Sequence, residues 1–126
     1  ALAVSYQFKP QPYKVLTPEQ ISGYDLVICC ADNLDVRKMM YKSEITWLDL
    51  RAQGRAGLLV SSDEDPKLYS TLTAGPEGSF SCQGDAWDKS NQGVHFTHVA
   101  VAGYGAQWVQ RHFAGDYTPK HIQVSA

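Results

Sequence analysis

Tyr24–Arg37 reads YDLVICCADNLDVR, and this stretch decides the fold. Leu26, Val27, Ile28, Cys29 and Cys30 form an apolar run with no polar break. Such a run predicts a strand covered on both faces, as in a parallel sheet. Polarity then switches at Asp32-Asn33, two residue types that suit a helix N-cap. Val36, Met39 and Met40, and further on Ile45, recur at helical spacing and predict a helix from about Asn33 to Glu44. Asp32 therefore falls at the carboxyl end of a central strand, the edge where open α/β sheets bind ligands. A carboxylate there can hold a metal and, through it, a phosphate. The plainer reading is that Asp32 only caps the helix. Arg37 either faces the same crevice or pairs with Asp35 or Glu44.

Working outward, Val4, Tyr6 and Phe8 alternate with polar residues and predict a half-buried strand, ended by Pro10 and Pro12. Thr17-Pro18-Glu19-Gln20 opens a short helix with a Thr cap and Pro at its first position, and Gly23 stops it. The rhythm is β-α-β-α, which argues for a parallel sheet. Thr46–Leu50 and Leu58–Ser61 are two further strands, with Gly54 at the bend between them. Arg51 and Arg55 decorate that turn, either solvated or approaching a nucleotide or an acidic tail. Residues 62–92 are loop-rich, with Leu68–Leu72 as one short strand. Residues 93–114 read as a long helix with Val94, His95, Phe96, Val99, Ala102, Ala106, Val109 and Phe113 as its apolar stripe. Gly103 and Gly105 interrupt it, which suits a close-packed backbone. Gly115 is a C-cap, and Lys120–Ser125 alternates like an edge strand.

The 126 residues suit one domain or part of one. A net charge of −2 and a pI near 6.0 exclude an electrostatic case for nucleic acid or an anionic membrane. No apolar run approaches the ~20 residues of a membrane span. The start, ALAVSYQF, lacks a signal peptide's basic and apolar regions and has no methionine, so a processed or trimmed product is expected. Three cysteines, two of them adjacent in one strand, suit reduced thiols in the cytoplasm.

Beyond these local readings, Tyr24–Arg37 resembles the segment DLVxxxxDNxxxR of the ThiF/MoeB/HesA superfamily, which adenylates ubiquitin-like and sulfur-carrier proteins. Asp25, Leu26, Val27, Asp32, Asn33 and Arg37 stand where that motif has them. Trp47–Val60, WLDLRAQGRAGLLV, resembles the family's next strand, glycine turn and strand, and Gly93–Gly115 its late helix. Only the first motif is specific.

The resemblance implies an α/β fold with a mixed, mainly parallel Rossmann-like sheet. The chain would be a single domain forming the second half of an adenylation domain, with residues 62–92 as the crossover loop. It implies ATP and Mg²⁺ as cofactors, a carrier protein as partner and a homodimer. Asp32 would contact the metal and the phosphates, Asn33 the nucleotide, and Arg37 would assist catalysis or orient the helix. The family's phosphate-cradling glycine loop is not in this sequence, so residues 1–126 alone are expected to bind ATP poorly.

Cys82 has no activating neighbour in sequence and is expected to be a passive thiol rather than a thioester site. One such cysteine and scattered histidines fall short of a four-ligand zinc site. His95 and His98 lack a third ligand and suit a core or interface. His112 and His121 suit a helix C-terminus or solvent. Two other classes stay open: an inactive ThiF-like binding or oligomerisation module, and a different Rossmann-type nucleotide enzyme.

Overall fold

A computed structural model describes residues 10–11, 14–72 and 94–126. The predicted strand at Val4–Phe8 and the readings of Pro12, Cys82 and Trp87 lie outside the described residues. Four strands, β1 (Val27–Cys29), β2 (Trp47–Gln53), β3 (Ala56–Ser61) and β4 (His121–Ser125), form one sheet in the order β1-β2-β3-β4. The helices are α1 (Leu34–Lys42), α2 (Pro66–Leu72) and α3 (Thr97–Ala114), with a 3₁₀ turn at Pro18–Ile21.

The class is α/β and the sheet is mixed, but the expectation of a mainly parallel sheet is corrected. Only β1 and β2 run parallel, with Val27 opposite Trp47 and Cys29 opposite Asp49. The β2–β3 and β3–β4 pairs are antiparallel. The reason is local at one end and long-range at the other. Gly54 adopts φ 56°, so the chain reverses within two residues and returns alongside β2. After β3, the chain reaches α3 at the hairpin end, where the Thr97 hydroxyl donates to the Gly54 carbonyl at 2.6 Å. An 18-residue helix then runs about 27 Å back along the sheet. Gly115, at φ 75°, caps it, and the Trp108 indole N–H donates to the Pro119 carbonyl at 2.9 Å. β4 is thereby launched with His121 opposite Val60, antiparallel to β3.

Each face of the sheet has its own core. Ile21, Cys29, Met40, Trp47 and Val60 pack on the α1 side. Leu48, Leu59, Val101 and Trp108 pack on the α3 side. Among the described strands β1 lies at the edge of the sheet and not at its centre, because β2 pairs on its other side with the antiparallel β3, and β1 is covered on one face rather than two. Val27 and Cys29 join the α1-side core, while Ile28, pointing the other way, is 45% exposed.

Three further expectations change. Leu68–Leu72 belongs to a helix, not a strand. Asp65 starts it by accepting from the Lys67 N–H, and the Ser70 and Thr71 hydroxyls bond back to the Pro66 and Lys67 carbonyls. The apolar stripe read along α3 is largely its outward side. The residues that face the sheet are Thr97, Val101, Gly105 and Trp108. The close backbone approach is at Gly105, where a Cβ would lie 3.0 Å from Leu50 Cδ1; at Gly103, among the described residues, nothing beyond the helix's own backbone and adjoining residues lies within 4 Å. Among the described residues no helix is long and apolar enough to cross a membrane.

Candidate functional site

β1 ends at Cys29 and α1 begins at Leu34, so residues 30–33 form a short exposed loop at the carboxyl end of the parallel strand. Asn33 is the N-cap, with extended backbone (φ −146°, ψ 113°). Its side-chain oxygen accepts from the Asp35 and Val36 N–H groups at 2.9 and 3.1 Å. That satisfies donors the first turn would otherwise leave open. Capping thus falls to Asn33 and not to Asp32. The Asp32 carboxylate is exposed and engaged by no described residue.

Arg37 points elsewhere. One turn into α1, its side chain is 5% exposed and reaches under the helix to the sheet. Its Nε donates to Asp49 Oδ1 at 3.0 Å, and its Nη2 to the Leu50 carbonyl at 3.2 Å. Neither Asp35 nor Glu44 is its partner. The Tyr41 hydroxyl, one turn further along α1, donates to the other Asp49 oxygen. Arg51 Nε stands 3.6 Å from that same oxygen, so Arg51 is part of β2's inner face and not a solvated turn residue. Asp49 itself is fully buried.

Burial and charge act together here. Burial opposes the charge on Arg37, but the attraction and hydrogen bond of Asp49 outweigh it and raise the guanidinium pKa. Burial, reinforced by the Asp49 charge, pushes the Tyr41 phenol well up, so it stays a neutral donor. The same two causes push the Cys29 thiol up, which makes it an unreactive core residue.

Of the three residues singled out in the sequence, the structure brings Asp32 and Asn33 together at the strand end and commits Arg37 to the sheet. Asp49 and Tyr41 were not anticipated. The available signal was an aspartate inside the apolar run WLDL, in phase with Trp47 and so directed inward.

Elsewhere, His112 stacks on Trp108 with ring centroids 5.2 Å apart. His121 Nδ1 lies 2.5 Å from Glu64 Oε2, and this contact lowers the Glu64 pKa. A shallow cavity of about 340 Å³ at the hairpin end is lined by Arg55, Val94, His95, Phe96, Thr97 and Ala126. Among the described residues, no three His, Cys, Asp or Glu side chains gather into a group able to hold a metal. A single exposed carboxylate nonetheless fits Mg²⁺, which keeps several waters and takes one or two carboxylates plus substrate phosphates. Compared with known proteins, the chain matches no family model, no curated protein and no solved structure.

Proposed function

We propose that the chain is part of a Rossmann-like, ATP-dependent adenylyltransferase of ThiF type that activates the C-terminal carboxylate of a small ubiquitin-like or sulfur-carrier protein. The observation that supports this best is the disengaged Asp32 carboxylate at the carboxyl end of a parallel strand, beside a helix start already capped by Asn33. In the reaction, a carboxylate oxygen of the carrier bonds to the α-phosphorus, and the bond from that phosphorus to the pyrophosphate oxygen breaks. Pyrophosphate leaves with the electron pair. Bound Mg²⁺ would neutralise charge on the phosphate oxygens, with Asp32 as one of its ligands. Asn33 holds the loop and helix start in place, and Arg37 anchors the helix to Asp49 rather than touching the nucleotide. The grip on the triphosphate has to come from polypeptide outside residues 1–126, because this sequence has no phosphate-cradling glycine loop.

That missing loop favours a second reading, an inactive module that binds or oligomerises. One assay separates the two: ATP–pyrophosphate exchange by the full gene product with Mg²⁺ and its carrier protein. The adenylation reading expects exchange, and a loss of about 100-fold or more in Asp32→Ala, the scale of removing one transition-state contact. Absence of exchange, or an Asp32→Ala variant as active as wild type, overturns it.

A further inference from the structure

We draw no further inference here: the strongest candidate, the shallow cavity at the hairpin end lined by Arg55, His95, Phe96 and Thr97, rests on the N-terminus of α3 beside one exposed arginine, and Thr97, the buried polar side chain that lines it, already donates to the Gly54 carbonyl, so nothing among the described residues points to a ligand there.

Discussion

The two faces of the sheet are held by opposite means. On one face α1 is fastened by charge: Arg37 and Tyr41 both donate to the buried carboxylate of Asp49. On the other, α3 is fastened by the absence of side chains: Gly57 and Gly105 let the helix settle onto the strands. An ion pair with two hydrogen-bonding partners has direction, so it fixes where α1 begins and hence where the 30–33 loop stands. Close packing has little direction, and what it fixes is distance. The exposed carboxylate lies on the directional side, and the exposed Val99 and Phe113 of α3 lie on the other.

The comparison breaks most visibly at Asp49. Replacing it with Ala leaves the Arg37 guanidinium buried without its counter-charge, which costs about 3–5 kcal/mol. Urea unfolding should show this as a lowered midpoint with unchanged slope. The double change Arg37→Met with Asp49→Leu should recover most of the loss, because an apolar pair of similar volume often replaces a buried ion pair without penalty. An Asp49→Ala loss below about 1 kcal/mol, the range of exposed ion pairs, would show that α1 is held by its apolar contacts alone.

The α3 side should respond to added volume instead. At Gly57 a Cβ would collide with Val101 Cγ2 and lie 3.2 Å from Val124 Cβ and 3.3 Å from Thr97 Cγ2. Its φ is not in the left-handed region, so the penalty is steric alone. Gly57→Ala is expected to cost about 1–3 kcal/mol by overpacking. Adding Val101→Ala should return part of it by removing the closest atom. If the pair of substitutions is additive, the helix is not seated as the structure describes.

What could be read from the sequence was what is encoded over a few residues. The strand, loop and helix of Tyr24–Arg37, the bend at Gly54, the cap at Gly115 and the edge strand at the end each depend on neighbours in the chain. What could not be read depends on distant ones. The pairing of β4 with β3 follows from where an 18-residue helix lets the chain return. The inner face of α3 was misassigned because apolar residues stand on both sides, so periodicity alone does not say which side meets the sheet. Asp49 gave a sign, a carboxylate within WLDL, but its partners lie 8 and 12 residues back, on another element. Tyr and Thr in Leu68–Leu72 suggested a strand, while the Asp65-Pro66 start imposed a helix.

The smallest effect tests the loop itself. Asn33→Ala removes the acceptor for the Asp35 and Val36 N–H groups and should cost about 1 kcal/mol, the usual worth of an N-cap. Asp32→Ala removes a side chain engaged by no described residue and should leave stability within about 0.5 kcal/mol of wild type. Thermal or urea unfolding of the two variants side by side gives the answer directly. If Asp32→Ala proves the more damaging, Asp32 is the capping residue and its carboxylate is already occupied. The case for a metal and phosphate ligand at that position then loses its main support. If Asn33→Ala alone destabilises, the neighbours divide their work. One shapes the end of the helix, and the other stands in solvent at the carboxyl end of β1, with no folding role to explain why a charged side chain is there.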